Sequence, residues 1–439
     1  MWSFFQTESI SIREETMKST ITVAPGQFGL VILTAGVALL LSILLLAASA
    51  SQPGLASSGA SPTTTVDPST HVITVGFAGD LNSWGLPQLY AVQLAISQTN
   101  AAGGVLLGGV PYHVALAVAD DQGDSNIAVT AAEKLVAAGA VAVVGHTHSA
   151  CSIAAQPTYQ IFGVSMVSAS STKTQLTQLG YTTTFRTAPT DATPPRLLAE
   201  YFTNRLGLKK SAIVDMNTWP SSLPGDVYSE TFTSLGGEIT SRVTLTSNLA
   251  FTATLNAIKL GNPDVIFFGG DDPSLAGQFS QIAFSRGMTT ILIGWNSSIN
   301  DEAALATYTT AAGAQAAEGD YAAMEYVRLE DMTGWPRFLS DYLAAGYSEP
   351  AYDSGTFSAY AYDATNIILD AVRRAGSADK NLIRQQIAAT KNYKGVVGLY
   401  QGFNAHGDVI PQWSFLEYNH NGLWTIVPPA RLFLPALFR

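Results

Sequence analysis

Short apolar runs alternate with stretches whose apolar residues recur at helical spacing along most of the chain. From His71 onward, VITVGFAG (72–79) reads as a buried strand, and a helix pattern follows over roughly 85–101. PYHVALAVAD (111–120) reads as a second strand, after which Asp124-Ser125-Asn126 opens the helical pattern AVTAAEKLVAAG. VAVVG (141–145), VSMVSAS (164–170), SAIVDM (211–216), DVIFFGG (264–270) and TTILIGW (289–295) repeat the strand theme with helices between. Continuous apolar runs bounded by Gly and Asp predict parallel sheets covered on both faces. Right-handed crossovers then make doubly wound α/β layers. About ten strands precede residue 330, more than one twisted sheet holds comfortably, so two lobes are expected.

Ahead of this pattern lies a different one. No charged residue occurs between Lys18 and Asp67, and Phe28 to Ala50 is an almost uninterrupted apolar run. A run of about 20 apolar residues can span a bilayer, and its end, Ala48-Ser49-Ala50, has the small-x-small form of a signal-peptidase site. Glu8, Glu14 and Glu15 are unusual ahead of a signal, whereas a start at Met17 would leave Met-Lys as an ordinary leader. Residues 1–50 therefore read as a signal peptide or a membrane anchor, and 51–70, rich in Ser, Thr, Pro and Gly, as a flexible tether. No cysteine follows the run to take a lipid, and either reading places the rest outside the cytoplasm.

Composition narrows the function. The 439 residues are 47% hydrophobic and 13% charged, with a formal net charge of −11. A disordered chain would lack that apolar surface, and a nucleic-acid binder would need clustered Lys and Arg that are missing here. One cysteine excludes a disulfide framework and a Cys-rich zinc site.

Ligands in doubly wound sheets bind beyond the carboxyl ends of the strands, where helix N-termini converge. Two turns there stand out: Gly145-His146-Thr147-His148-Ser149 and Ser168-Ala169-Ser170-Ser171-Thr172. Each sets hydroxyls and backbone N–H groups at a helix start, a setting that suits a carboxylate or another small anion. The alternative is that Ser149 and Thr172 merely cap their helices.

With these residues in view, the chain resembles the type I periplasmic solute-binding proteins, in particular the branched-chain amino-acid (leucine/isoleucine/valine) receptors of ABC transporters. The likeness runs over roughly 72–427. Val72 to Gly79 with Trp84-Gly85, Asn100 to Gly104, Asp120-Asp121, Gly145-His146 and Ser168 to Leu176 carry its first half. Phe268-Gly269-Gly270, Tyr362-Asp363-Ala364, Gly395-x-x-Gly398 and Phe403-Asn404-x-x-Gly407-Asp408 carry the second. The resemblance implies the type I fold: two lobes joined by three crossovers near 191, 320 and 402, closing by a hinge on a ligand in the cleft. Lobe 1 would comprise 71–191 and 320–402, lobe 2 would comprise 192–319 and 403–427, and 428–439 would be a C-terminal tail.

The resemblance also places the family's carboxylate hook on Ser149 and Thr172 with the backbone at Ser170. It sets Trp84 against the ligand's apolar part, with Phe357 and Trp219 as further wall residues. Receptors of α-amino acids usually carry a glutamate after the strand at 290–294, and here Gly294-Trp295-Asn296-Ser297 puts an amide there. A buried ammonium without a counter-charge is costly. Asp271, at a neighbouring wall position, would have to supply that charge unless the ligand lacks an amine, and the alternative for Asp271-Asp272 is that one of them caps the next helix.

The implied activity is capture of a small carboxylate solute for the membrane permease of an ABC importer, by a monomer without cofactor, metal or enzymatic step. A membrane-anchored sensor of the same fold is the alternative. His146-x-His148-x-x-Cys151 fits no common zinc spacing, and Asp120-Asp121-Gln122-Gly123-Asp124 lacks the glutamate that closes a calcium loop. No Gly-x-Ser-x-Gly elbow or Gly-x-Gly-x-x-Gly fingerprint is present.

Overall fold

The computed structural model describes residues 71–216, 223–270, 272–289, 292–296, 302–348 and 352–427. The segments 1–70 and 428–439, together with Trp219 and Asp271, lie outside the described residues.

The first sheet holds six strands in the order β2-β3-β1-β4-β5-β6, with β1 Val72–Gly79, β2 Val105–Leu107, β3 Val110–Asp120, β4 Ala140–Gly145, β5 Ser165–Ser168 and β6 Thr184–Arg186. All neighbours run parallel except β2, which pairs antiparallel with β3. β4 and β5 are buried throughout and β1 over most of its length, as the inner strands of a parallel sheet require, whereas β3 is partly exposed. In β1, Ile73, Val75 and Phe77 enter one core with helix α1 (Gly85–Ala101), while Ala78 enters another with α2 (Ser125–Ala137) and α3 (Ser149–Phe162). A short α4 (Gln175–Gln178) lies between β5 and β6.

After α5 (Thr193–Asn204) the scheme repeats in a second sheet ordered β8-β7-β9-β10-β11-β16-β17 from the other edge. Its strands are β7 Lys210–Met216, β8 Glu238–Leu245, β9 Val265–Gly269, β10 Leu292–Asn296, β11 Tyr321–Met324, β16 Phe415–His420 and β17 Leu423–Ile426. Val214 and Met216 face one core and Ile213 the other, so this sheet too is covered on both sides. Helices α6 (Leu223–Ser234), α7 (Phe251–Leu260), α8 (Pro273–Ser285), α9 (Glu302–Ala312) and α10 (Ala314–Ala317) belong to it. The chain then returns to the first sheet through α11 (Trp335–Ala344), α12 (Tyr352–Ala375) and α13 (Lys380–Ala388), with α12 against α1. Two small ribbons follow, β12 (Tyr393–Lys394) with β13 (Leu399–Tyr400) and β14 (Gly402–Phe403) with β15 (Val409–Ile410).

The first change of sheet falls at Asp191–Thr193, between β6 and α5. The other two fall later than 320 and 402. β11 pairs with β10 inside the second sheet, while Tyr326 already belongs to the first core. Val409 is likewise buried in the first core, and the chain leaves it only at Phe415. Gln412 ties the first and third crossovers together, its Oε1 accepting from the Thr190 N–H at 2.8 Å and the Thr193 hydroxyl at 3.3 Å. Ser414 donates to the carbonyl of Met324, linking the third crossover to the second.

The motif glycines have local reasons. The buried carboxylate of Asp363 accepts the N–H groups of Val396 (2.7 Å) and Val397 (3.0 Å) and the hydroxyl of Tyr400 (2.9 Å). A Cβ on Gly395 would lie 2.3 Å from that carboxylate, whereas one on Gly398 would meet Trp413 at an ordinary 3.5 Å. Gly395→Ala should therefore cost about 1–3 kcal/mol of overpacking, and Gly398→Ala should leave chemical denaturation nearly unchanged. Equal midpoints for the two variants would remove this account of the motif.

Candidate functional site

The first sheet runs β3-β1-β4-β5-β6 and the second β8-β7-β9-β10-β11. Each therefore has a switch point beside its first strand, between β1 and β4 and between β7 and β9. The crevice beyond the carboxyl ends at such a point is where a doubly wound sheet offers a ligand site.

Five of the residues expected to contact a ligand gather at the first switch point. Thr147, after β4, accepts the backbone N–H of Asp80, after β1, at 3.1 Å. Ser170, after β5, donates its hydroxyl to the Thr147 carbonyl at 2.8 Å. Gln88, fully buried on α1, donates to the Trp84 carbonyl and to Ser170 Oγ, both at 3.2 Å. The Ser149 hydroxyl accepts the Lys173 N–H at 3.3 Å, which sets it beside Thr172. Trp84 stacks on Phe357, with ring centroids 5.6 Å apart and planes at 27°.

Neither hydroxyl caps a helix. His148 precedes α3 as its N-cap and makes no side-chain cap bond, and α4 opens at Thr174 rather than at Thr172. The Ser170 hydroxyl is consumed by the framework. Within the described residues no hydrogen bond takes up the backbone N–H of Ser170, the backbone N–H of Thr172 or the hydroxyl of Thr172. Two carbonyls of this segment are occupied: Thr172 O accepts the N–H of Asp191 at 3.0 Å and Ser171 O accepts from the Arg186 guanidinium at 3.2 Å. These three donors stand at the end of parallel strands and next to the N-terminus of a fourteen-residue helix, a combination that favours an anion.

The apolar side of the site is a row of rings. Trp84, half exposed, lies between Phe357 and His148, whose centroid is 6.1 Å away at 22°. Phe357 in turn meets Tyr326, just past the second crossover, edge-on at 5.1 Å. His148 Nε2 lies 3.7 Å from Asp80 Oδ2. The Asp80 carboxyl is held below its ordinary range by the Ser83 hydroxyl first, then by the Asn82 N–H and His148.

On the second lobe less is described. Asp272 caps α8, accepting from the N–H groups of Ser274 (2.8 Å) and Leu275 (3.1 Å). Asn296 ends β10, paired with Gly269 on β9 and Ala323 on β11; its backbone alone is described.

The other constellations have structural partners. His146 is fully buried, with Nδ1 2.6 Å from Asp121 Oδ2 and Nε2 3.0 Å from the Tyr159 hydroxyl, so both ring nitrogens are engaged. Burial pushes the Cys151 thiol up to about 12, the behaviour of a small core residue rather than a nucleophile. Asp124 caps α2 through the N–H groups of Asn126 and Ile127. Gln88, His148, Tyr326 and Arg186 were not legible as site residues. Gln88 had one signal, a polar side chain on a helix face whose neighbours are apolar.

Comparison with known proteins places this architecture. The leucine-, isoleucine-, valine-, threonine- and alanine-binding protein of Pseudomonas aeruginosa is 28% identical over 348 residues, covering 77% of this chain and 86% of its own length. The branched-chain amino acid transporter substrate binding protein LivJ from Streptococcus pneumoniae, solved in complex with isoleucine, superposes with a TM-score of 0.58 at 24% identity, over 81% of this chain and 99% of its own. A solute binding protein of an ABC transporter from R. palustris, solved in complex with benzoate, shares the fold with a TM-score of 0.56 at 19% identity, over 81% and 95% of the two chains. Because the model of the periplasmic binding protein family matches residues 73–422, a span that runs from β1 to β16, the chain belongs to that family.

Proposed function

We propose that this chain is the extracytoplasmic solute-binding component of an ABC importer, capturing a small carboxylate-bearing solute between its lobes and presenting it to the membrane permease. The observation that carries the reading is the set of unpaired donors at Ser170 and Thr172, beside the hydroxyl of Ser149 and the start of α3. Three or four hydrogen bonds from such groups hold a carboxylate without any cationic side chain. Trp84 and Phe357 supply the wall for an apolar remainder. An apolar amino acid of the branched-chain type is the first candidate, in keeping with the relative from P. aeruginosa, and Trp219, Asp271 and Asn296 would complete the far side from the second lobe. Closure about the crossovers at Asp191, Met324 and Ile410 would bring the two sides together.

A second reading is favoured by Asn296, which stands where receptors of α-amino acids usually carry a glutamate. It takes an amine-free aromatic or aliphatic carboxylate as the ligand, as in the benzoate complex of the structural relative. Calorimetric titration of the purified protein with L-leucine, L-isoleucine and benzoate separates the two. Under either reading, Thr172→Ala and Ser149→Ala should each weaken binding about tenfold or more, since a hydrogen bond to a charged group is worth roughly 1.5–3 kcal/mol. Undiminished affinity in the double variant rejects the hook.

A further inference from the structure

We propose that Arg186, held by Asp408, is the positioning residue that sets the backbone of segment 171–173 so that the Thr172 N–H faces the ligand; the inference rests on the carboxylate reading above. Arg186 ends β6 and is completely buried. Its Nη1 donates to the carbonyls of Ser171 (3.2 Å) and Lys173 (2.8 Å), the two that flank Thr172. Its Nη2 donates to the Thr177 hydroxyl at 2.8 Å, and its Nε to Asp408 Oδ1 at 2.6 Å. Thr177 closes the ring by donating to the same Asp408 oxygen at 2.8 Å.

The consequence follows from peptide geometry. Carbonyl and N–H of one peptide point in opposite directions, so fixing the Ser171 carbonyl inward fixes the Thr172 N–H outward. The N–H of Asp191 holds the Thr172 carbonyl, and the guanidinium holds the carbonyls on either side. A planar group with forked donors is suited to span two carbonyls while charge-paired behind. Arg186 touches no ligand in this arrangement; it acts through Thr172.

Asp408 comes from the last pass of the chain through the first lobe. Asn404 prepares it, accepting the Asp408 N–H at 3.0 Å and donating Nδ2 to its carboxylate at 3.2 Å. The Arg186 N–H meanwhile donates to the Gly407 carbonyl at 3.0 Å. The motif Phe403-Asn404-x-x-Gly407-Asp408 is thus a buttress for the hook, 222 residues away from Arg186 in sequence.

Two measurements on Asp408→Asn test this, with Thr177→Val as the milder variant should the first fail to fold. Hydrogen–deuterium exchange of the ligand-free protein should accelerate in the peptide covering 169–178 and stay unchanged in the second sheet. No acceleration there, or an equal acceleration in both lobes, overturns the proposal. With L-leucine as the probe, Asp408→Asn should weaken binding about tenfold in the wild-type background and markedly less in the Thr172→Ala background, because both changes damage one hook. Additive losses overturn positioning through Thr172. If Thr172→Ala leaves leucine affinity intact while exchange at 169–178 responds as stated, the carboxylate reading fails and the structural role of Arg186 stands.

Discussion

His146→Ala should lower the unfolding free energy by about 3–5 kcal/mol, the usual cost of removing one partner from a buried pair. Asp121 is fully buried, and besides the His146 ring its carboxylate accepts the Gly123 N–H at 3.0 Å. Losing the imidazole strands that carboxylate and the Tyr159 hydroxyl together. The backbone carbonyl of residue 146 stays in the variant and keeps its three hydroxyls, from Ser152 (3.1 Å), Ser168 (3.0 Å) and Ser171 (3.2 Å), so the loss falls on the side-chain partners alone. These bonds join β4, β5 and α3 around one point just behind the Ser170–Thr172 turn. His148, two residues on, is the control. Its ring is partly exposed, stacks on Trp84 and sits at a long 3.7 Å from Asp80, so His148→Ala should cost about 1 kcal/mol or less. Urea denaturation of the two variants at one pH checks the contrast. A loss below 1 kcal/mol for His146→Ala shows that Asp121 does not depend on it.

That contrast also marks how far the sequence can be read. A pattern of apolar runs is a local property, so β1, α1 and β7 fall where periodicity puts them. The turns after β4 and β5 are also local, and their position beyond parallel strands follows from strand direction alone. Burial is another matter. His146 and His148 look alike in sequence, yet one ring is sealed between Asp121 and Tyr159 and the other faces the crevice. Only the packing of α3 on α2 and β4 decides which. The same holds for Ser170, whose hydroxyl belongs to Thr147 and Gln88 and whose backbone is what remains for a ligand.

Long-range pairing sets the second limit. Arg186, fully buried, and Asp408 form one ion pair across 222 residues of the chain, and nothing near either residue announces the other. The crossovers show the same effect. Tyr321–Met324 is a short strand of small and apolar residues that suits either sheet; its assignment to the second comes from pairing with β10 and with the antiparallel β16. A boundary at 320 is the natural reading until β16 is seen to need a neighbour. Similarly, the loop after Phe403 belongs to the first lobe because Asp408 answers a buried guanidinium there, a demand that no local pattern expresses.

Folded stability should fall as pH rises from 5 to 7, opposite to the trend that paired surface carboxylates give. Two fully buried carboxyls lead this, one in each lobe, and burial raises Glu200 and Asp215 in the same direction. Burial raises Asp320 to about 7 against the hydrogen bonds of Ser280 Oγ (2.6 Å), the Tyr308 hydroxyl (2.7 Å) and the Ile293 N–H (3.3 Å). Burial raises Asp363 to about 6 against the bonds from Val396, Val397 and Tyr400. Both values lie above the 3.8 of an ordinary aspartate. Between that value and the folded one, the folded chain holds a proton that the unfolded chain has released. Each group therefore contributes stability that is fully present below about pH 4 and is lost as pH rises through about 6 for Asp363 and about 7 for Asp320, with a slope of about 1 kcal/mol per pH unit for each group. Asp80, Asp124 and Glu318 are shifted the other way, and they matter only toward the acid limb below about pH 5. Asp320→Asn keeps the volume and removes the titration, so it should flatten the slope between pH 6 and 7; Asp363→Asn should flatten only the portion below 6. Chemical denaturation of the three proteins across pH 5 to 8 reads this directly. A stability that is level or rising over that range in the unsubstituted protein shows that both carboxyls are ionised at no cost, and that the hydroxyl and N–H donors around them outweigh their desolvation.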